Sequence, residues 1–395
     1  MARRVIVHVG TMKSGTTSLQ HALFAHREHL RDLGILVPGK SWREQVDAVW
    51  DVRGRAWSLA GDRSIGGSWG RLVEEIDAWP GTAVVSAELL APAGTAVVEE
   101  VARSFASVEI VVSVRDLNRN LPAMWQEVVQ NGELWTWPEF LASAKQMRPR
   151  WSLPDLMTGT NRFWKEQDAA AIARRWSAAG PVHVVTVPPP GGPSEVLLER
   201  FGEVIGFGFG DVSTPMSRNA SLGVVRADVL RRLNVELERR GLRFPAGIRL
   251  RKHVLAKRLM RDLDVDDQRL GLRVAPWVER SARQQVAALQ RQGVVLHGDW
   301  ADLTPVEVSG TDPSTVTEDR IAAVAAATHV PLREWLLERA AVGSRPGWGP
   351  ETVPQWSPGG SDDASDEPAE DAVAALADLI EWAITRTRAK QAADA

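Results

Sequence analysis

The chain has 395 residues, of which 44% are hydrophobic and 25% are charged, and both fractions are ordinary for globular proteins. Its 47 lysines and arginines against 50 aspartates and glutamates leave a formal net charge of −3, so net charge gives no argument for nucleic-acid binding. The chain contains neither cysteine nor tyrosine, which excludes disulfides, thiolate metal sites, cysteine nucleophiles and phenolic acids.

The first ten residues carry two arginines and then a short apolar run, which His8 and Gly10 interrupt. A secretory signal needs an apolar stretch of about 7–15 residues, and a membrane helix needs about 20. The sequence offers neither, so we predict a cytoplasmic protein without stable membrane insertion.

Short runs rich in valine predict buried strands, and helical periodicities lie between them. The predicted strands are residues 5–9, 83–86, 108–114 and 182–187. The predicted helices of this region are residues 17–36, 167–179 and 194–205. Such alternation is typical of a parallel sheet flanked by helices, so the predicted fold class is α/β.

The stretch between the first strand and the first helix reads Gly-Thr-Met-Lys-Ser-Gly-Thr-Thr over residues 10–17. A glycine-containing loop that follows a strand and opens a helix is where a protein binds phosphate, because amide groups and the helix dipole attract an anion. The loop departs from the ATP-type pattern G-x-x-x-x-G-K-[ST], because Thr16 stands where lysine is expected and the lysine is Lys13 instead. A glycine-rich turn without ligand is the alternative interpretation.

Residues 12–17 resemble the 5′-phosphosulfate loop of sulfotransferases that use 3′-phosphoadenosine 5′-phosphosulfate (PAPS), whose signature reads like P-K-S-G-T-T. Met12 replaces the proline. The resemblance implies a P-loop-type parallel sheet, PAPS as the sulfuryl donor, 3′,5′-adenosine bisphosphate as the product and no required metal. It assigns cofactor binding to the loop residues, which are Gly10, Thr11, Met12, Lys13, Ser14, Gly15, Thr16 and Thr17.

Two residues are the predicted catalytic groups. Lys13 is placed to neutralise charge on the leaving phosphate. Glu88 follows the second predicted strand, where ligands sit in parallel sheets, and is the candidate base, since other branches of the family use a glutamate there. A helix-start carboxylate or a partner of Lys13 is the alternative role for Glu88, and Glu127 is the second-choice acid. His8, inside the first strand, is predicted to be a core histidine.

The third predicted strand ends at Arg115-Asp116. In the resemblance, an arginine here and a serine eight residues later hold the 3′-phosphate. Arg115 matches the arginine, but Ala123 stands at the serine position. This departure either weakens the predicted 3′-phosphate contact or shifts it to Arg119, Asn118 or another side chain. A salt bridge between Arg115 and Asp116 at the strand end is the alternative interpretation.

Two further stretches allow more than one interpretation. Residues 130–138 and several later tryptophans give an aromatic-rich middle, for which core packing is favoured over binding of an acceptor. Arg218 and Asn219 lie where a helix is predicted to begin, and either cap that helix or contact the nucleotide.

Helical patterns dominate from about residue 221. Residues 222–237 and 273–291 have apolar residues at helical spacing, and residues 226–262 hold 12 lysines and arginines against 4 acidic residues. That basic segment is interpreted as solvated helix faces rather than as phosphate contacts.

The C-terminal part is predicted to contain a linker and one amphipathic helix. Proline and acidic residues fill 343–368, whereas residues 369–392 carry an apolar stripe. This helix packs either on its own chain or on a partner, so a homo-oligomer is one option. The predicted organisation is a sulfotransferase-like α/β domain with helical additions over 1–310, a helical extension over 311–342, the linker over 343–368 and the C-terminal helix over 369–392.

The sequence thus predicts transfer of a sulfuryl group from PAPS to a small-molecule or carbohydrate acceptor, and it does not identify the acceptor. A P-loop kinase or NTPase is an alternative, although Thr16 argues against it. A nucleotide-binding relative without turnover is another, since Ala123 departs from the family pattern.

Overall fold

The structure is a computed structural model that describes residues 2–59, 61, 63–146, 162–193, 195–209, 222–341, 349–357 and 368–394. The chain divides into two compact units, each assembled from three stretches of sequence. The first, here called the sheet unit, comprises residues 1–124, 142–219 and 273–307. The second, here called the helical unit, comprises residues 125–141, 220–272 and 308–395.

The sheet unit is built on six parallel strands in the order β2-β3-β1-β4-β5-β6. Their bounds are β1 Arg4–His8, β2 Ile35–Leu36, β3 Thr82–Ser86, β4 Val108–Val114, β5 Val182–Thr186 and β6 Val295–His297. Helices flank the sheet. Those wholly within this unit are α1 Thr16–Ala25, α2 Arg27–Asp32, α3 Trp42–Val52, α4 Ser68–Asp77, α5 Thr95–Ser104, α8 Arg162–Gln167, α9 Ala169–Trp176, α10 Val196–Ile205 and α12 Pro276–Arg291.

The strands are apolar runs because helices cover both faces of the sheet. Along β1, Val5 and Val7 belong to one buried cluster, and Ile6 belongs to a second cluster with residues of α1 and α10. β1 lies between β3 and β4, and its last residue, His8, is in register with Ser86 of β3. The two clusters thus hold β1 at the centre of the sheet.

Helices α6 Leu117–Gln130 and α7 Trp137–Gln146 contain residues of both units. The helical unit adds α11 Val224–Arg239, a π-helix over Arg249–Leu259, α13 Glu318–Ala341 and α14 Pro368–Asp394. The stripe predicted on α14 is buried in this unit, where α14 packs on α11 and α13. Its members are Val373, Leu376, Ile380 and Ile384. Among the described residues, none of the helices combines the length and the apolar character that a membrane span requires.

The α/β prediction is confirmed, and the four predicted strands are all present. The prediction of one helix over 17–36 is wrong. His26 leaves the helical conformation between α1 and α2, and Gly34, with φ of 83°, precedes the short strand β2. Strands β2 and β6 were not predicted, since two and three residues are too few to show a periodic pattern.

Much of the basic segment 226–262 is neutralised inside the helical unit. Arg240, for example, contacts Asp378 at 2.6 Å and Glu381 at 3.0 Å, and both carboxylates belong to α14. Lys252 contacts Glu127 at 2.8 Å. These ion pairs favour a structural role for the segment. Most of the predicted linker lies outside the described residues; in its described part, 349–357, Val353 is buried.

Candidate functional site

The site predicted from the sequence lies where the sheet changes the direction of its connections. The chain leaves β1 towards β2 on one side of the sheet and leaves β4 towards β5 on the other. Adjacent parallel strands whose connections diverge in this way leave a crevice at their carboxyl ends, which is where ligands bind in open α/β sheets. The loop 10–15 follows β1 and Arg115 follows β4, so both predicted phosphate contacts border this crevice.

The loop after β1 has three residues in left-handed backbone conformations. Gly10, Lys13 and Gly15 have φ of 48°, 64° and 79°. Lys13 is the only residue other than glycine with positive φ among the described residues. Such a conformation costs free energy for a residue with a Cβ and is enriched at functional sites. The fold therefore imposes the position of this lysine rather than following its intrinsic preference.

Both glycines of the loop are required by close approach. A Cβ on Gly10 would lie 2.9 Å from Ser113 Oγ and 2.9 Å from Thr16 Cγ2, and a Cβ on Gly15 would collide with Leu197 of α10. Gly15 also occupies the N-cap position of α1 and has no side chain to satisfy the first amides of the helix. These amides and the helix dipole favour an anion at this end of α1.

A chain of neutral hydrogen bonds runs beneath the loop. Ser14 Oγ donates to Thr11 O at 2.6 Å, so it accepts from Ser113 Oγ at 2.7 Å. Ser113 in turn accepts from His8 Nε2 at 2.9 Å, which leaves His8 Nδ1 to accept from Ser86 Oγ at 2.8 Å. Complete burial lowers the pKa of His8 to about 3, so the ring is neutral. His8 is thus the core histidine that was predicted, and it supports the loop.

Arg115 is a partly buried cation that donates to two neutral acceptors. Its Nε donates to Asn120 Oδ1 at 2.7 Å and its Nη2 to Arg119 O at 3.0 Å. Within the part of the chain that the structure describes, no carboxylate forms a salt bridge with it. Burial first, and then the positive charge of Arg119, lower the pKa of Arg115 to about 10 against the opposing effect of Asp116. An anionic ligand would offset the cost of this buried charge.

The strand-end salt bridge joins Arg119, not Arg115, to Asp116. Arg119 Nε contacts Asp116 Oδ2, and Arg119 Nη2 donates to Pro188 O at 3.0 Å in the loop after β5. The alternative interpretation of Arg115 as the partner of Asp116 is therefore wrong. The Asp116 carboxylate already neutralises the Arg119 guanidinium, whereas the described partners of Arg115 are neutral, so Arg119 is the weaker candidate for an anionic ligand.

A second hydrogen-bond chain connects Arg115 to the loop. Asn120 Nδ2 donates to Gln167 Oε1 at 2.6 Å, and Gln167 Nε2 donates to Met12 O at 2.8 Å. Asn120 and Gln167 are buried. Sequence reasoning missed both residues, because neither lies in a motif and Gln167 is 47 positions from Asn120 and 155 from Met12.

Glu88 lies just after β3, in a 3-10 turn over Glu88–Leu90. Gln20 of α1 donates from Nε2 to Glu88 Oε2 at 2.5 Å and to Ser86 O at 3.3 Å. A hydrogen bond thus connects the candidate base to α1, the helix that follows the loop. Gln20 is a second contact that the sequence did not reveal.

The remaining predicted site residues add no described contact to the crevice. Glu127, the second-choice acid, pairs with Lys252 and with Asn131 in the helical unit. Arg218 and Asn219 lie outside the described residues. Ala123 has no polar side chain to offer. Among the described residues, no cluster of three or more histidine, aspartate or glutamate side chains is arranged to hold a metal ion.

Comparisons of the chain with models of known families, with curated proteins and with solved structures found no match. The fold and the contacts described above therefore carry the functional argument.

Proposed function

We propose that the chain is a PAPS-dependent sulfotransferase. It moves a sulfuryl group to a hydroxyl or amine of a small-molecule or carbohydrate acceptor by in-line displacement. The observation that carries the proposal is the loop after β1. Its lysine lies in the middle of the loop in a left-handed conformation at the crevice, between two glycines that have positive φ and close side-chain neighbours. The strand order β2-β3-β1-β4-β5, with the loop leaving the central strand, supports a P-loop-type sheet.

The residues around the crevice fit a nucleotide with two separate anionic groups. The first-turn amides of α1 and the loop suit one phosphate. Arg115, which forms no salt bridge with any carboxylate of the described residues, suits another through its charge. Thr17 at the start of α1 is exposed and supplies a hydroxyl. No such pair of sites would be needed for a simple glycine-rich turn.

PAPS, when bound, would supply the sulfuryl group and a phosphate that leaves. Lys13 stabilises the charge that develops on the phosphate oxygen as the sulfur–oxygen bond breaks. Glu88 takes the proton from the acceptor as the new bond to sulfur forms, which leaves the sulfated acceptor and 3′,5′-adenosine bisphosphate. The Gln20 contact orients the Glu88 carboxylate for this role.

Ligand-dependent thermal unfolding tests the nucleotide class. We expect 3′,5′-adenosine bisphosphate to raise the melting temperature, because a ligand that binds only the folded state stabilises it by mass action. ATP with Mg²⁺ should have a smaller effect. Stabilisation by ATP with Mg²⁺ alone would overturn the sulfotransferase proposal in favour of a kinase or NTPase.

Two substitutions test the assigned chemistry. Lys13→Ala should lower the release of bisphosphate from PAPS by about a hundredfold or more, measured with a phenol, a sugar and an amine as acceptors. Lys40→Ala, at an exposed lysine, is the matched control. Normal turnover by Lys13→Ala would show that the loop is wrongly assigned.

Glu88→Gln keeps an oxygen that accepts from Gln20 but removes the base. We expect turnover to fall far more than affinity for the bisphosphate. Glu99→Gln, at an exposed position on α5, is its control. Equal losses of turnover and affinity would make Glu88 a structural residue. Bisphosphate binding without any PAPS turnover by the wild type would indicate a non-catalytic relative.

A further inference from the structure

The hydrogen bonds between Arg115 and the loop all run in one direction. A guanidinium only donates, so Asn120 must present Oδ1 to Arg115 and Nδ2 to Gln167. Gln167 must then present Oε1 to Asn120, which leaves its Nε2 for Met12 O, a group that only accepts. Every orientation in the chain is therefore fixed by its two ends.

This series of hydrogen bonds is short and buried, and both of its ends lie at the proposed site. Its three distances are 2.7, 2.6 and 2.8 Å, and its two amide side chains are each 1% exposed. Buried hydrogen bonds that share a direction polarise one another, and each bond here begins, directly or in sequence, at the Arg115 cation. Breaking any one bond leaves a buried polar group unsatisfied.

The far end of the chain determines the orientation of the Lys13 amide. In a trans peptide the carbonyl of one residue and the N–H of the next point in opposite directions. Because Gln167 holds the Met12 carbonyl, the Lys13 N–H is turned away from Gln167. The preceding amide, Met12 N–H, donates to Glu166 O at 3.3 Å, so the helix end that carries Gln167 holds both the N–H and the carbonyl of Met12.

We propose that Asn120 and Gln167 are positioning residues that couple Arg115 to the loop, so that the two anionic groups of the ligand are bound as one cooperative unit. The inference rests on the proposed function for its ligand. It also accounts for the lack of a hydroxyl at Ala123, since the guanidinium is oriented from Asn120 and Arg119 O instead. Neither positioning residue needs to touch the ligand.

Isothermal titration with two probes tests the coupling. Adenosine 5′-monophosphate carries one phosphate and 3′,5′-adenosine bisphosphate carries two, so the ratio of their dissociation constants reports the second contact. Gln167→Met keeps the length of the side chain and removes both of its hydrogen bonds. We expect Gln167→Met to weaken binding of the monophosphate about threefold to tenfold. We also expect the ratio of the monophosphate dissociation constant to the bisphosphate dissociation constant to fall about tenfold, since the loop contact and the Arg115 contact both depend on Gln167.

The decisive measurement is a double-mutant cycle with Arg115→Met. If Gln167 acts through Arg115, the double variant should bind the bisphosphate about tenfold more tightly than the product of the two single losses predicts. Asn120→Leu breaks the same series of hydrogen bonds at another position. Combined with Arg115→Met, it should likewise lose less affinity than the product of the two single losses, and it replaces Gln167→Met if that variant does not fold. Gln285→Met is the matched control, because Gln285 Nε2 donates to the backbone oxygen of Gln167 at 3.1 Å and not to its side chain.

The outcomes are distinguishable. Losses that multiply fully in both cycles, or a shortfall equally present with Gln285→Met, would overturn the coupling while leaving the proposed function intact. A wild-type chain that binds no bisphosphate would overturn the proposed function, and the coupling with it.

Discussion

Two arginines, one in each unit, have similarly lowered pKa values but different surroundings. Burial lowers the pKa of Arg115 in the sheet unit and of Arg251 in the helical unit to about 10 in each case, and neither forms a salt bridge within the described residues. Arg251 Nη2 donates to Asn234 Oδ1 at 2.6 Å, and its Nη1 to Leu242 O and to Ala246 O, both at 3.4 Å. It thereby ties the π-helix to α11 and to the turn between them.

The two arginines differ in their surroundings. Arg251 is 3% exposed and is enclosed by acceptors of its own unit, whereas Arg115 lies at a strand end beside a crevice. A depressed pKa therefore identifies a buried cation but does not by itself identify a binding site. Position relative to the sheet decides which of the two is a candidate ligand contact.

Replacing each arginine by methionine should separate the two roles. We expect Arg115→Met to lower the affinity for 3′,5′-adenosine bisphosphate by about a hundredfold, because a charge-assisted contact to phosphate is lost. The unfolding free energy should fall by about 1–2 kcal/mol, because Asn120 Oδ1 and Arg119 O lose their donor while a charge without a described counter-ion is removed. Titration calorimetry and urea denaturation measure the two quantities. Unchanged affinity would remove Arg115 from the site.

A third buried group, His8, sharpens the comparison because the ordinary pKa of a histidine lies near neutral pH. The folded-state pKa of His8, about 3, lies below the usual 6.5, so the native state binds fewer protons than the unfolded state between those values. The stabilisation is complete above pH 6.5 and is lost as the pH falls, at up to about 1.4 kcal/mol per pH unit, or about 3 kcal/mol at pH 4. Urea denaturation of wild type and His8→Gln across pH 7 to 4 isolates this slope. Parallel curves would contradict it.

Arg251→Met should destabilise the chain by about 2 kcal/mol, because Asn234 Oδ1 and two backbone carbonyls lose their donor. Its affinity for the bisphosphate should equal that of the wild type. Denaturation and calorimetry again provide the test. If Arg251→Met lowered the affinity for the bisphosphate as strongly as Arg115→Met does, the distinction between the two arginines would fail.

The sequence predicted features whose cause is local. Runs of valine mark strands that are buried on both faces, and the spacing of Gly10, Lys13 and Gly15 marked the loop. The position of Glu88 after a predicted strand placed it near the carboxyl end of β3, where the structure has it. Each of these depends only on neighbours within a few residues.

The features that were missed depend on contacts across the fold. Asn120 and Gln167 are polar residues in helices, and such residues are mostly exposed, so nothing in their surroundings predicts burial. β6 is recognisable only because β5 pairs with it. Arg119, which was predicted to contact the nucleotide, is bound to Asp116 and to Pro188 O.

The interleaved composition of the two units has a consequence for biosynthesis. β6, at Val295–His297, pairs with β5, at Val182–Thr186, and the helical unit takes residues 220–272 from the stretch between them. While the chain is being made, β5 therefore presents an unpaired side until about residue 297 has emerged. Unpaired strand edges promote aggregation, and contacts distant in sequence slow folding. Nascent chains stalled before residue 295 should accordingly depend on chaperones that cover this edge.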